Sequence, residues 1–239
     1  MQNVRGKILN LGATRYFPMD EAGNAASGFA TAVDWSASLV NASYTLAPKA
    51  GRQGVGRIGT RGTSFYFDDT DESVNCGSAS DIDNLGPFTF NGWMQCDSVP
   101  TRMLTKGTLI KCVILNTGLL RMLIGYSSTN LRADSTDAIP TDGRWVMVTF
   151  TWDDSVNASG VGLYFDGVKQ TNTNTRNAVG SQTNDAANTF WLASENNTTA
   201  FHDGRMCEVS VFDTELTEAD VHGLYAAYRR DDIPRRTVL

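Results

Sequence analysis

A dense group of carboxylates stands in the segment DDTDES, residues 68–73, directly after a short aromatic stretch. Carboxylate oxygens are the ligands that calcium prefers, and calcium takes six to eight oxygens that usually come from several loops. Asp68, Asp69, Asp71 and Glu72 are therefore candidate calcium ligands. The alternative is an ordinary polar turn, in which such side chains accept hydrogen bonds from nearby backbone amides.

The histidines give little indication of catalysis. His202 and His222 are the only two in the chain, and neither belongs to a recognisable motif with a serine or cysteine nucleophile. We expect His202 to lie in a solvated loop and His222 on the face of a helix. The residue pattern therefore gives no support for nucleophilic catalysis.

Composition limits the class of partner. The chain has 239 residues, 41% of them hydrophobic, and a formal net charge of −6, so it lacks the basic field that displaces counterions from phosphates. We expect no nucleic-acid partner.

No segment is apolar enough to span a membrane, and the first residues lack the apolar run of a signal peptide. We therefore expect no membrane insertion.

The cysteines match no metal-binding pattern. There are four of them, widely spaced, at positions 76, 96, 112 and 207. Because no export signal is apparent, we expect reduced thiols that pack as small hydrophobic side chains. One disulfide bridge between facing strands is the alternative.

Strand patterns dominate the chain. They are found at residues 63–69, 86–97, 109–126, 144–152, 161–170, 189–194 and 205–212. Asp166 and Gly167 are typical of a type I′ turn, because both tolerate a positive φ. In the last of these strands we expect Cys207, Val209 and Val211 to share one face.

One helix is predicted near the C-terminus, in ELTEADVHGLYAAYRR. Thr217 is a suitable N-cap and Asp220 completes a capping box. The predicted organisation is an N-terminal arm over residues 1–13, one domain over residues 14–228 and a C-terminal tail over residues 229–239.

Four segments, in this order, resemble the concanavalin A-like jelly rolls, in particular their laminin-G-like and pentraxin-like branch. They are the opening YFPMDEAGNAAS (16–27), the block 64–107, the block 139–170 and the ending 190–225. The second segment contains a Phe-Thr-x-x-x-Trp strand. In the third, a Trp begins one strand and Tyr-x-Asp-Gly closes the next. The resemblance covers residues 14–228. It implies an all-β fold, an antiparallel jelly-roll β-sandwich with one short C-terminal helix. This architecture hosts lectins, adhesion modules, enzymes and structural proteins, so it does not specify a function.

The resemblance also bears on catalysis. Hydrolytic members of this superfamily carry two or three carboxylates that alternate along one strand and act together on a sugar bond. Here Glu208 stands alone in its strand, and Ser210 occupies the position where a partner carboxylate would be needed. We therefore expect no enzymatic activity. A degenerate glycosidase that depends on Glu208 or Glu195 is the weakest alternative.

The pentraxin-like branch implies a second set of calcium ligands, in the loop after the strand FWLAS. The matching residues here are Glu195, Asn196 and Asn197, with Asp203 further along the chain. The Asp-Asn pair that pentraxins take from an earlier hairpin has no counterpart near TKGTLIK. The acidic turn at residues 68–72 is common in laminin-G-like domains, and calcium is the only cofactor that the resemblance implies.

Sugar-binding faces in such folds need exposed aromatic rings beside hydrogen-bonding side chains. Trp35, Tyr44, Trp191 and Phe201 are the candidates for carbohydrate binding. Packing inside the protein is the alternative for each of them.

Two classes of function stay open. We expect a non-catalytic surface or decoration protein of a virus or phage particle, located on the virion, with glycan or host-surface binding as a further property. Assembly inside a cell needs no export signal, and the partners would be other particle proteins or further copies of this chain. The alternative is an extracellular, free-standing lectin module that binds carbohydrate with the help of calcium.

Overall fold

The elements are described from the computed structural model, which covers residues 4–19, 31–44, 53–55, 63–196 and 200–231. Its helices are α1 (Val4–Asn10) and α2 (Glu218–Asp231). Its strands are β1 (Arg15–Phe17), β2 (Thr31–Ala32), β3 (Ala42–Tyr44), β4 (Gln53–Val55), β5 (Thr63–Asp68), β6 (Val74–Asn75), β7 (Phe88–Cys96), β8 (Thr101–Lys106), β9 (Ile110–Ile114), β10 (Leu119–Ile124), β11 (Leu131–Ala138), β12 (Val146–Trp152), β13 (Val161–Phe165), β14 (Val168–Lys169), β15 (Asn172–Arg176), β16 (Phe190–Leu192) and β17 (Asp203–Phe212).

The strands form two antiparallel sheets. The eight-stranded sheet runs in the order β14-β13-β12-β7-β17-β5-β4, and β1 also pairs with β17. The nine-stranded sheet runs in the order β15-β11-β10-β9-β8-β16-β6-β3-β2. This arrangement is a β-sandwich consistent with a jelly roll, which confirms the fold class predicted from the sequence.

The core lies between the sheets and follows from the alternation of side chains along the strands. In β12, Val148, Phe150 and Trp152 point into this core, whereas Met147 belongs to a second apolar cluster on the opposite face. Every residue of β12 is buried, because both faces of the eight-stranded sheet are covered. The four cysteines are buried thiols, as expected.

The second apolar cluster joins the eight-stranded sheet to the two helices, which also contact each other. The indole of Trp93 meets the rings of Tyr225 and Tyr228, with ring centroids 6.0 and 5.3 Å apart. The capping box of α2 is present, since the Asp220 amide donates to the Thr217 hydroxyl over 3.2 Å and the Thr217 amide donates to the Asp220 carboxylate over 3.3 Å. The sequence did not predict α1, which falls within the segment expected to be an N-terminal arm.

The turn between β13 and β14 has the predicted form, with φ of 50° at Asp166 and 80° at Gly167. The expectation for β17 was confirmed for Val209 and Val211, which both face the core between the sheets, but it was wrong for Cys207, which lies under the helices. A bulge shifts the register of β17 against β7 and places Glu208 at a φ of 54°. The extra residue reverses the alternation of faces.

A buried cation ties two loops to the nine-stranded sheet. The Lys106 ammonium donates to the Ile82 carbonyl over 2.6 Å, to Asp83 over 2.6 Å and to Asp185 over 2.7 Å. The side chains of Lys106 and Asp185 are almost completely buried. Asp185 also accepts from the Asn84 amide, so the ammonium and its partners fix the loop before β7 against the loop before β16.

Neither of the two described helices is long and apolar enough to cross a membrane.

Candidate functional site

An open groove of about 620 Å³ lies beside Trp35. Four separate parts of the chain line it, namely α1 with the turn that follows it, the loop after β2, the short turn at residues 80–82 and the residue after β17. The side chains on which its chemistry depends are those of Trp35, Ser36, Ser38, Asp81 and Asp213. The groove therefore lies at the β2 edge of the nine-stranded sheet.

Asp34 shapes the loop that carries Trp35. Its buried carboxylate accepts hydrogen bonds from the backbone amides of Tyr16, Ser36 and Val40, over 3.0, 2.8 and 3.2 Å. Hydrogen bonds to several amides hold a loop in one conformation. The Trp35 amide itself donates to the Tyr16 carbonyl over 2.8 Å. The indole is thus held at the tip of a fixed loop.

The Trp35 ring is accessible but not loose. Its exposed fraction is 42%, and the Arg5 guanidinium from α1 lies 4.1 Å from the ring centroid. A cation over an indole face is attracted by the π electrons of the ring and limits its motion. The rest of the ring borders the groove and is available to a ligand.

Carboxylates and hydroxyls supply the polar groups of the groove. Asp213 is exposed, and the Asp81 side chain is 30% exposed while one of its oxygens accepts from buried Arg15 over 2.6 Å. The single proton of the Ser36 hydroxyl is shared between two acceptors, the Asp34 carboxylate at 2.9 Å and the Thr14 carbonyl at 2.8 Å. An aromatic wall beside the exposed carboxylate of Asp213 suits a ligand rich in hydroxyl groups, such as a sugar.

The other three aromatic candidates lie elsewhere. Tyr44 stacks on Phe65 with ring centroids 4.7 Å apart and packs against the core. Phe201 is 8% exposed, which leaves little of its ring available to a ligand. Trp191 is partly exposed and faces outward from the nine-stranded sheet, because its neighbours Phe190 and Leu192 point into the core. Trp35 is the candidate that borders the groove.

The acidic turn brings three of its four predicted ligands together. One carboxylate oxygen each from Asp68, Asp71 and Glu72 lies within 4.8 Å of the others. Asp203, predicted in the other ligand set, is the direct cross-strand partner of Asp68. Burial, together with the negative charges of Asp203 and Asp68, raises the pKa of Asp69 above its usual value. This concentration of negative charge favours a cation.

The other predicted ligand set is divided by the fold. Glu195 accepts from Arg102 over 3.0 Å and pairs with Lys111 on the outward face of the nine-stranded sheet. Burial opposes ionisation of Glu195, but the hydrogen bonds from Lys111 and Arg102 outweigh it and lower its pKa. Asn196 is exposed, and Asn197 lies outside the described residues. Asp203 begins β17 and lies opposite Asp68 of the acidic turn instead.

The expectation for His202 was wrong, because its imidazole is completely buried. Nδ1 lies 2.6 Å from the Thr101 hydroxyl, and Nε2 lies 3.4 Å from the Arg205 carbonyl. Burial lowers the pKa of His202 to about 4, against the opposing effects of that carbonyl and of Asp203. The imidazole is therefore buried and hydrogen-bonded within the fold rather than solvated. His222 is exposed on α2, as predicted.

Sequence reasoning missed most of the groove. Arg5, Asp81 and Asp213 were not among the candidates, because they lie far from Trp35 along the chain. One local signal was present: in Asp34-Trp35-Ser36 an aspartate precedes the tryptophan, and aspartate commonly accepts from backbone amides in turns. That pattern would have identified the loop that presents the ring, but not the residues opposite it.

The fold and the groove define a β-sandwich with an aromatic-walled cleft at one edge. The laminin G family model, described as "Concanavalin A-like lectin/glucanases superfamily", matches residues 68–222, which is more than half of the chain. The chain therefore belongs to the concanavalin A-like lectin/glucanase superfamily, as the resemblance implied. A search of curated protein sequences gave no match.

Solved structures of similar fold have low sequence identity. Domain 4 of AbnA, an extracellular arabinanase from Geobacillus stearothermophilus in complex with arabinotriose, has a TM-score of 0.59 at 16% identity, covering 89% of this chain and 98% of that one. The botulinum neurotoxin serotype D binding domain has a TM-score of 0.62 at 13% identity, and the match covers 91% of this chain and 52% of that domain. Trypanosoma rangeli sialidase in complex with sialic acid has a TM-score of 0.61 at 12% identity, and the match covers 94% of this chain and 34% of the sialidase. The chain thus spans about half of the neurotoxin domain and a third of the sialidase. At these identities the likeness concerns the fold alone.

Proposed function

We propose that this protein is a non-catalytic carbohydrate-binding module that holds a neutral oligosaccharide in the Trp35 groove. The observation that carries the proposal is the exposed Trp35 ring on the wall of an open groove. The C–H faces of a sugar ring stack on indole, and its hydroxyls donate to carboxylates such as Asp213. Because two carboxylates line the groove, a neutral sugar fits better than an acidic one.

The fold relatives support sugars as the ligand class. The arabinanase domain is similar to this chain over nearly its full length, and its structure contains arabinotriose. Arabinotriose is a neutral oligosaccharide, rich in hydroxyl groups, of the kind proposed for the Trp35 groove. It is therefore the first probe we would use, within a broader panel of neutral oligosaccharides.

The carboxylates named in the glycosidase alternative are engaged elsewhere, which supports a non-catalytic role. Glu208 is buried and accepts a hydrogen bond from the Tyr16 hydroxyl. Glu195 pairs with two cations on the nine-stranded sheet. Neither residue lines the Trp35 groove.

The proposal is tested by measuring binding of the purified chain to a panel of neutral oligosaccharides that includes arabinotriose. We expect saturable binding to at least one member of the panel, and competition by the same sugar free in solution. A complete lack of binding across the panel would contradict the proposed function.

We further propose that the acidic turn binds one calcium ion through Asp68, Asp71 and Glu72. These three carboxylates would hold the ion, and the ion would neutralise their negative charge. We expect calcium to raise the melting temperature by about 5 °C relative to chelator-treated protein, because an ion that binds the folded state stabilises it. Asp71→Asn should remove this difference, whereas Asp142→Asn, at an exposed site away from the turn, should keep it. Equal melting temperatures with calcium and with chelator would contradict the site.

A particle-surface setting is a separate proposal, in which the module decorates a virus or phage particle and is located on the virion. Its support is the arrangement of the layers: α1 and α2 contact each other and cover the eight-stranded sheet, which makes the helical side one candidate for attachment. Attachment through that side would leave the nine-stranded sheet exposed. We expect the full-length chain to self-associate in sedimentation velocity experiments, and a monomer at every concentration would count against self-assembly.

A further inference from the structure

The outward face of the nine-stranded sheet carries an excess of positive charge. We call the five side chains concerned the basic face: Arg102, Lys111, Arg121, Arg132 and Arg176. Four of them stand next to core residues along their strands, and Arg176 shares their face as the cross-strand partner of Arg132. Lys111, for example, lies between Ile110 and Cys112, and both of these point into the core. Neighbouring strands are about 4.8 Å apart, so the basic face extends about 19 Å from β8 to β15.

Three of the five cations have carboxylate partners. Arg102 and Lys111 share Glu195, and Arg121 forms a bidentate pair with Asp134, over 2.7 and 2.8 Å. Within the described part of the chain, Arg132 and Arg176 form no ion pair. This surplus stands on a protein whose formal net charge is −6.

Arg132 and Arg176 are direct cross-strand partners in β11 and β15. Like charges at directly opposed positions destabilise a sheet, and β15 is the edge strand. Each guanidinium is oriented by the backbone: Arg132 donates to the Asn174 carbonyl over 3.1 Å, and Arg176 donates to the Asn130 carbonyl over 3.0 Å. An anionic group between the two guanidiniums would remove their repulsion and accept their remaining N–H groups.

We propose that the basic face binds an acidic polysaccharide, with a carboxylate or sulfate group between Arg132 and Arg176 and the chain running towards Lys111. The Asn174 and Thr173 side chains flank the pair and already bond to Arg132, Asp134 and the Ser135 carbonyl. Their remaining lone pairs can accept from sugar hydroxyls. A polymer with both hydroxyls and spaced anionic groups fits this mixture.

This second site goes beyond the Trp35 groove in place and in charge preference. The groove lies at the β2 edge of the nine-stranded sheet, whereas the arginine pair lies at the opposite β15 edge. Two carboxylates line the groove, and cations dominate the basic face. The two sites can therefore be tested independently of each other.

The test compares polygalacturonate with its carboxyl-reduced form, and dextran sulfate with dextran, as ligands of the full-length chain. We expect binding to the acidic member of at least one pair, little binding to its neutral counterpart, and weakening as salt rises. Arg132→Gln combined with Arg176→Gln should weaken binding about tenfold or more, because two charge-assisted contacts are lost. The matched control is Arg144→Gln, whose side chain is 65% exposed and stands just before β12 in the other sheet.

The melting temperature of the double variant establishes whether it folds. A folded double variant that binds as tightly as the wild type would overturn the proposal. Equal binding of an acidic polymer and its neutral counterpart would overturn it as well, and so would the absence of binding to both acidic polymers. None of these results affects neutral oligosaccharide binding in the Trp35 groove, which is measured separately with Trp35 variants.

Discussion

Replacing Lys106 with methionine is expected to destabilise the fold by about 3–5 kcal/mol, because it leaves buried carboxylates without their cation. Methionine has a similar length and fills much of the same space, so the loss comes mainly from charge and hydrogen bonding. Asp185 is almost completely buried and would keep only its bond from the Asn84 amide. Urea unfolding of the variant measures the effect directly.

Two further variants separate the charge effect from a general effect of substitution. Lys106→Met combined with Asp185→Asn removes both buried charges, and we expect it to recover part of the lost stability. Lys169→Met replaces an exposed lysine on β14 and should change stability by less than about 0.5 kcal/mol. If Lys106→Met unfolds at the same urea concentration as the wild type, the buried ammonium does not hold the two loops.

Replacing Trp35 with alanine is expected to weaken binding of a neutral oligosaccharide at least about tenfold, because the stacking surface is lost. The fold should survive, since the side chain is 42% exposed and the loop is held by Asp34 through backbone amides. Trp35→Phe keeps an aromatic ring and should retain part of the affinity. Isothermal titration with the best oligosaccharide of the panel measures these differences.

The matched control for Trp35 is the other partly exposed candidate tryptophan. Trp191 faces outward from the middle of the nine-stranded sheet and does not line the groove. Trp191→Ala should therefore leave neutral oligosaccharide binding within about twofold of the wild type. Loss of binding in Trp191→Ala with full binding in Trp35→Ala would move the site from the groove to the sheet face.

Local patterns predicted the parts of the fold that local chemistry determines. The alternation in β12 has a period of two, the Asp166-Gly167 turn needs positive φ, and the Thr217 cap satisfies helix amides. The helix α1 has seven residues, and a helix this short is stable only through its packing. The bulge at Glu208 likewise depends on the register of two strands that are distant in the sequence.

The candidate site was only partly predictable for the same reason. Trp35 was identified by its residue type, and the acidic turn by its density of carboxylates. Arg5, Asp81 and Asp213 meet Trp35 only after four parts of the chain come together. Glu195 was predicted as a calcium ligand because of its loop, but the strand register places it beside Arg102 and Lys111. Such pairings depend on tertiary structure, which no short motif contains.

The most direct test of the central claim is a titration of isotope-labelled protein with the strongest neutral oligosaccharide of the panel, followed by NMR. We expect the indole N–H signal of Trp35, assigned with the Trp35→Phe variant, to shift and saturate together with the amides of Ser36 and Ser38. The Trp191 indole signal should stay in place. Saturable binding that leaves the Trp35 signal unchanged would contradict the groove as the carbohydrate-binding site.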